Sequence, residues 1–362
     1  MTTHIHTSGN VVADRYEILD FHNEGGMQEV YVAQDRTLSR RVALKVPKNI
    51  SAEKRFERSA RLSAKVRHPN VAATLDYFEY EERPYLIEEL VPGTDLKRRL
   101  DTEFFYLDPH LAAHVINHLA RALSTAHHAD VCHRDLKPSN VIVSSDPSLL
   151  VVKITDFGVA KMANEQLAEE IDQLEKDENS LTGSQTLVGA IPYMAPERFS
   201  APREVNLASD VWALGAILYQ LLKGEPPFGR GPMAIGKILG TAAVERPPLF
   251  GKYHGYAQLE DALWQIMKAC LNRKVSERPN ADLLVKQCSE LCYAVQPRLT
   301  GTVTSFGEGA GDWGFISADD ENVFLHRSEF YGIGLKVGVR VNFSPHDGRP
   351  RRRAAPAIPL RS

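Results

Sequence analysis

Short alternations of apolar and polar residues fill the N-terminal part of the chain. Tyr16–Leu19, Glu29–Ala33, Arg41–Val46, Ala73–Tyr80 and Pro84–Leu90 each carry the two-residue period of a β-strand. One helical stretch, Ala52–Val66, interrupts them, with Phe56, Leu62 and Val66 among its apolar positions. This part is predicted to be a small antiparallel sheet with one helix. Pro92-Gly93 then breaks both periods and reads as a hinge. Beyond it the helical period dominates, in Leu111–His127, Val211–Lys223, Met233–Gly240, Ala257–Leu271 and Ala281–Cys292, so a helical lobe is expected. After Pro297 short alternating strands return, rich in glycine and aromatic residues. The tail over 349–362, with Pro350, Pro356 and Pro359 beside its arginines, reads as disordered. The fold class is α+β, with residues 1–13 as a separate N-terminal segment.

Composition narrows the class without identifying it. The 362 residues are 43% hydrophobic and 25% charged, which excludes collagenous, disordered and disulfide-scaffold chains. With 43 basic against 46 acidic residues the net charge is −3, so the chain as a whole has no polyanion-binding signature. The balance is uneven: from Pro297 onward nine basic residues face seven acidic ones, the opposite sign from the rest. Four cysteines cannot form a disulfide framework in so long a chain, and no charged-then-apolar leader opens it, so a reducing cytoplasm is the expected compartment. Val211–Leu222 is too short to cross a bilayer and is interrupted by Gln220, so no membrane contact is expected. Cys288 and Cys292 fall at i, i+4 on a predicted helix, lack a histidine at metal spacing and read as core packing.

Candidate chemistry is concentrated in four motifs. Val42-Ala43-Leu44-Lys45 ends a strand, and His133-Arg134-Asp135-Leu136-Lys137-Pro138-Ser139-Asn140, Asp156-Phe157-Gly158 and Ala195-Pro196-Glu197 follow in the helical part. In this order and spacing they resemble the eukaryotic-type Ser/Thr protein kinases of bacteria, over residues 14–292. The resemblance implies an N lobe over 14–91, a C lobe over 92–292 and an activation segment over 156–197. It further implies ATP and Mg²⁺ (or Mn²⁺) as cofactors and protein Ser or Thr hydroxyls as acceptors. Phosphoryl transfer asks for charge neutralisation and positioning rather than covalent help. By motif, Asp135 would accept the proton of the attacking hydroxyl, and Asp156 and Asn140 would be oxygen ligands for the metal. Lys137 would contact the transferred phosphate, marking the Ser/Thr-specific class, and Lys45 the α- and β-phosphates. Val30, Ala43, Glu89 and Val91 would line the adenine site. His133 and Phe157 would be structural, Glu197 and Arg278 would form a buried ion pair, and Asp210 would brace the catalytic loop.

The chain departs from the family pattern in several places. Asn23-Glu24-Gly25-Gly26-Met27-Gln28 stands for the glycine-rich loop and keeps only the middle glycine, Gly25, followed by Gly26. A Cβ at position 28 limits how closely this turn approaches phosphates. Ser59 stands where a helix glutamate would meet Lys45, with no carboxylate at i±3 or i±4, and Gly189-Ala190 replaces Gly-Thr. Glu88 occupies the usually apolar position at the back of the pocket, where an isolated carboxylate is costly unless paired. Lys45, on a neighbouring strand, is the expected partner. A Glu88 turned to solvent, or an alignment shifted by one residue, are the competing arrangements. Asp95 matches the family's ribose-contacting carboxylate and equally the N-cap of a helix. In the activation segment, Glu165–Glu178 holds seven acids and one base, with Leu167, Ile171 and Leu174 at helical spacing. It reads as a solvated acidic helix or a regulatory one. Ser180, Thr182, Ser184 and Thr186 follow as candidate phosphosites, and Arg134 resembles the class whose loops are ordered by phosphate–Arg pairing.

Near the C-terminus, Gly301-Thr302-Val303-Thr304-Ser305-Phe306, Asp312-Trp313-Gly314-Phe315-Ile316 and Val323-Phe324-Leu325-His326 resemble the cold-shock domains, over residues 297–358. The resemblance implies a five-stranded OB-type barrel that binds single-stranded DNA or RNA. Phe306, Trp313, Phe315, Phe324 and His326 would be its base-stacking residues. Ser305 and Thr304 stand for the family's first-strand Trp and Lys. Exposed aromatics also suit a protein docking patch. Taken together, the sequence predicts an ATP- and Mg²⁺-dependent Ser/Thr protein kinase with an appended nucleic-acid-binding module, in which a homodimer would serve trans-autophosphorylation. The alternative is a pseudokinase scaffold whose main activity is nucleic-acid or partner binding.

Overall fold

The computed structural model describes residues 4–24, 28–48, 53–157, 185–201, 206–294, 296–307 and 311–361. The N lobe is a six-stranded antiparallel sheet: β1 (Val11–Val12), β2 (Tyr16–Glu24), β3 (Gln28–Asp35), β4 (Arg40–Pro47), β5 (Thr74–Tyr80) and β6 (Arg83–Glu89), ordered β1-β2-β3-β4-β6-β5. Alternate residues Tyr16, Ile18, Tyr31, Ala33, Val42, Leu44, Tyr85 and Ile87 pack into one core, which is the origin of the two-residue period. Helix α1 (Glu53–Ser63) lays Phe56 and Ala60 against Leu86 on the other face. The segment before residue 14 joins this sheet: β1 pairs with β2, and Ile5 packs on the sheet core with its N–H donating to Glu29 Oε2 at 3.0 Å. A two-residue strand is too short to show a period.

The C lobe contains β7 (Thr94–Asp95), α2 (Leu96–Thr102), α3 (Pro109–His128), β8 (Val141–Val143), β9 (Val152–Ile154), α4 (Gln185–Ala190), α5 (Glu197–Ser200), α6 (Ala208–Lys223), α7 (Ala234–Leu239), α8 (Ala257–Cys270) and α9 (Ala281–Ser289). Helix α6 is buried along almost its whole length, hence its all-round apolar sequence. No helix among the described residues is long and apolar enough to cross a membrane. At the hinge, Gly93 has φ +144°, and a Cβ there would collide with the Val143 carbonyl, so only glycine lets the chain pass so close to β8.

Five strands, β10 (Leu299–Phe306), β11 (Trp313–Ala318), β12 (Glu321–His326), β13 (Arg340–His346) and β14 (Arg353–Pro359), close a barrel in the order β10-β11-β12-β14-β13. Gly314 admits the close crossing of β10, because a Cβ would strike the Ser305 carbonyl. The expected disordered tail is corrected here. Residues 353–359 are strand β14, which pairs with β13 and sends Ala354 and Ala357 into the barrel core. Small apolar residues between prolines satisfy a narrow barrel interior, and proline-rich composition concealed the strand.

The barrel is seated on the C lobe rather than tethered to it. Tyr331, Ile358 and Leu360 belong to the C-lobe core, and the Tyr331 hydroxyl donates to buried Glu260 at 3.0 Å. Arg298 meets Asp108 at 2.7 Å, with both side chains almost fully buried. Asp108 also caps α3, accepting from the N–H groups of His110 and Leu111. Replacing Arg298 with Met leaves an unpaired buried carboxylate, so stability in denaturant melts of the full chain should fall by about 3–5 kcal/mol. Adding Asp108→Asn should recover most of that loss, since Asn still caps the helix. A silent Arg298→Met would show that this pair does not hold the two parts together.

Candidate active site

A cleft of about 600 Å³ lies between the lobes, lined by Val30 and Ala43 above, Glu88, Glu89 and Val91 at the back, and Asp95, Ile142 and Asp156 below. Its charge centre follows from strand register. Ala43 on β4 lies opposite Glu88 on β6, so Lys45, two residues along, is the diagonal neighbour of Glu88 on the same face. Lys45 Nζ stands 2.5 Å from Glu88 Oε2 and 2.8 Å from Asp156 Oδ1. Of the three arrangements open to Glu88, pairing with Lys45 is the one found. Burial works against the Lys45 ammonium, but Asp156 and Glu88 outweigh it and hold its pKa above the ordinary lysine value. Burial raises Glu88, with the Asp156 charge adding to the rise, whereas Lys45 overcomes burial at Asp156 and lowers it. One cation thus serves two carboxylates, and the back of the cleft keeps an excess of negative charge.

Gln28 completes this cluster, donating to Asp156 Oδ1 at 3.2 Å. Motif reasoning weighed only the backbone consequence of a side chain at position 28 and did not see where its amide would reach. Ser59, in place of the helix glutamate, donates to the Phe157 carbonyl at 3.2 Å. Helix α1 is therefore fastened to the Asp156-Phe157 segment by a hydroxyl and contributes no charge to Lys45.

Below the cleft, the catalytic-loop motif is held by buried Asp210 from α6. Its two oxygens accept from the N–H groups of His133 and Arg134, each at 2.8 Å, and His127 Nε2 lies 3.0 Å away. Burial opposes ionisation of Asp210, and these donors, His127 first, keep it below the usual carboxylate range. Arg134 needs that support because its φ is +69°. His133 donates to the Thr155 carbonyl at 2.9 Å and packs edge-on against Phe157. Lys137 Nζ lies 2.8 Å from Asp135 Oδ2, and Asn140 Nδ2 donates to the Asp135 carbonyl at 2.7 Å and to Oδ2 at 3.1 Å. Arg278 grips Glu197 with two bonds of 2.6 and 2.8 Å.

Two further expected residues line the cleft and also hold its walls. Glu89 is a strut: its N–H donates to the Ala73 carbonyl and its carboxylate is held by Lys153 at 2.6 Å. Asp95 accepts from the Arg98 N–H at 2.9 Å and is the N-cap of α2, at the rim of the cleft. Gly25, Gly26, the acidic stretch Glu165–Glu178, Ser180, Thr182 and Ser184 lie outside the described residues, as does the Thr186 side chain. On the barrel, Trp313, Phe315 and Phe324 form one cluster with ring centres 5.8 to 6.1 Å apart. Phe306 is half-buried and packs against the barrel core. His326 pairs its ring with Ser328 beside that cluster. Arg351 and Arg353, assigned by sequence to a loose tail, lie over Phe315 and Phe324 at 5.4 and 5.7 Å.

Because Glu88 is the buried partner that keeps Lys45 extended, Glu88→Met should lower kcat/KM for nucleotide by roughly tenfold, the worth of one charge-assisted hydrogen bond. Ser59→Glu in that background should return part of it. Steady-state kinetics of the two variants decide the point, and a silent Glu88→Met would refute the pairing's role.

A family model described as the protein kinase domain matches residues 16–288. Serine/threonine-protein kinase PknB of Mycolicibacterium smegmatis is 35% identical over 245 residues, covering 65% of this chain and 36% of that protein. The PknB of Mycobacterium leprae is 34% identical over 245 residues, with the same coverage of each. The chain spans about a third of the length of these curated relatives. The crystal structure of the Mycobacterium tuberculosis PknI kinase domain is similar with a TM-score of 0.55 at 22% identity, covering 79% of this chain and 99% of that one, a likeness of fold. The family model covers most of the chain, with the cleft and the Asp210-braced loop inside the matched region: this chain belongs to the protein kinase family.

Proposed function

We propose that the chain is a serine/threonine protein kinase that uses ATP with Mg²⁺ (or Mn²⁺) to phosphorylate proteins, and that its barrel is a cold-shock-type module for single-stranded nucleic acid. The kinase reading is carried by Asp135, whose carboxylate is oriented by Lys137 and Asn140 on a loop fixed by Asp210. An acceptor hydroxyl beside Asp135 would give up its proton there as its oxygen bonds to the transferred phosphorus and the bond to ADP breaks. Lys137 would neutralise charge on the group in transit. Among the described residues no three His, Cys, Asp or Glu side chains form a metal site by themselves. The cation would be held jointly by Asp156, Asn140 and nucleotide phosphates, where it would screen the charge on the phosphates. The Asn140 amide nitrogen is committed to Asp135, so Oδ1 is the atom left for it.

The barrel reading is supported by the three-ring cluster, with Trp313 its most exposed member at 44%, and by the two guanidinium groups over it. Rings offer stacking to any base and arginines offer charge to phosphates. Incubation with labelled ATP and Mg²⁺ should place phosphate on Ser or Thr of the chain itself, and Asp135→Asn should cut the rate by about 10² or more. Dominant phosphotyrosine, or labelling that survives Asp135→Asn, would contradict the assignment. For the barrel, the full chain should bind single-stranded oligonucleotides more tightly than duplex. Trp313→Ala and Phe315→Ala should each weaken binding by about 1–3 kcal/mol. Unchanged affinity in both variants would point to a protein docking patch instead.

A further inference from the structure

Two C-lobe elements line the lower side of the nucleotide cleft, and the barrel holds the far end of both. Helix α2, capped by Asp95, presents Lys97, Arg98 and Asp101 to the cleft. Its C-terminal turn leaves carbonyls without intrahelical partners, since the N–H groups of Glu103 and Phe104 both go to the Arg99 carbonyl. Arg361, two residues past β14, supplies what is missing. Its Nε donates to the Leu100 and Phe104 carbonyls at 3.0 and 3.1 Å, its N–H donates to the Glu103 carbonyl at 2.7 Å, and its guanidinium lies over Phe105 at 4.6 Å. A cation at a helix C-terminus is also favoured by the helix dipole. Next to it, Leu360 bridges to Phe104.

The second element is the β8–β9 hairpin, whose Ile142 lines the cleft with Thr155 and Asp156 just past β9. The Asn342 amide of β13 donates to the Pro147 carbonyl at its tip at 2.8 Å, and the Arg298 N–H donates to Ser148 Oγ at 2.8 Å. Arg99 ties the two elements together, bonding the Ser144 carbonyl from α2 at 2.6 Å. Strand β14 therefore carries Arg353 over the aromatic cluster at one end and leads to the clamp on α2 at the other.

We propose that Arg361 is a positioning residue of the nucleotide cleft, and that through it and the hairpin contact the aromatic face of the barrel and the nucleotide site are energetically coupled. The coupling arm rests on the nucleic-acid reading of the barrel; the positioning arm does not. Both are read on the full chain by calorimetric titration of Mg²⁺ with ADP, with and without a single-stranded oligothymidylate of about 10 nucleotides. Arg361→Ala should raise the nucleotide Kd about fivefold or more while leaving oligonucleotide affinity in the absence of nucleotide unchanged, and Arg361→Lys should restore part of the loss. In the wild-type chain the oligonucleotide should shift the nucleotide Kd by about fivefold or more, the nucleotide should shift the oligonucleotide Kd by the same factor, and Arg361→Ala should bring that factor toward one. A folded Arg361→Ala chain with wild-type nucleotide affinity overturns the positioning role. An oligonucleotide that binds the wild-type chain without moving the nucleotide Kd overturns the coupling, even if Arg361→Ala fails to fold. An oligonucleotide that does not bind overturns the nucleic-acid reading and the coupling with it, while the nucleotide affinities of the Arg361 variants still decide the positioning role.

Discussion

One buried ammonium shared by two carboxylates sets the terms for the rest of the cleft. Lys45 must remain extended from β4 to reach Glu88 and Asp156 at once, and this joins the N-lobe sheet to the segment that follows β9. With both carboxylates ionised, the triad would hold one negative charge more than it neutralises. Such a centre fits the proposed reading of a cation held together with nucleotide phosphates, since phosphates alone would meet two carboxylates. The opposite directions of the Glu88 and Asp156 shifts express the same constraint: the more deeply enclosed carboxylate is the one pressed toward its neutral form.

Placing the carboxylate on a strand rather than on α1 changes what the helix must do. Residues 43, 45 and 88 share one sheet face, so the Lys45–Glu88 contact is fixed by the ladder between β4 and β6. Helix α1 is left with apolar packing by Phe56 and Ala60 and one hydroxyl bond from Ser59 to the Phe157 carbonyl. Moving α1 would break that bond and expose Phe56 without separating Lys45 from its strand partner.

Legibility in the sequence tracked the length and regularity of each signal. The long helices α3, α6 and α8 and the five longer N-lobe strands were readable because a buried stripe or face repeats enough times to show its period. The catalytic loop, Asp210 and the Glu197–Arg278 pair were readable because the motifs fix residue types at fixed spacing. Gln28 and Lys153 were not, because their roles depend on which long side chain reaches across the cleft. Strand β14 was hidden for a different reason. Its prolines and arginines have the composition of a tail, and only the closing ladder with β13 shows that Ala354 and Ala357 face inward.

The seating of the barrel follows from the same strand. A module joined only through a linker near Pro297 would need its own complete core. Here the barrel has that core and, beyond it, Tyr331, Ile358 and Leu360 are buried in the C lobe, and the pairs Arg298–Asp108 and Tyr331–Glu260 are desolvated with them. Buried ion pairs add little net stability over well-packed apolar residues, yet they penalise any orientation that leaves one partner alone. The interface therefore specifies an angle as well as an attachment, and that fixed angle is what allows Arg361, two residues past β14, to meet the carbonyls of α2.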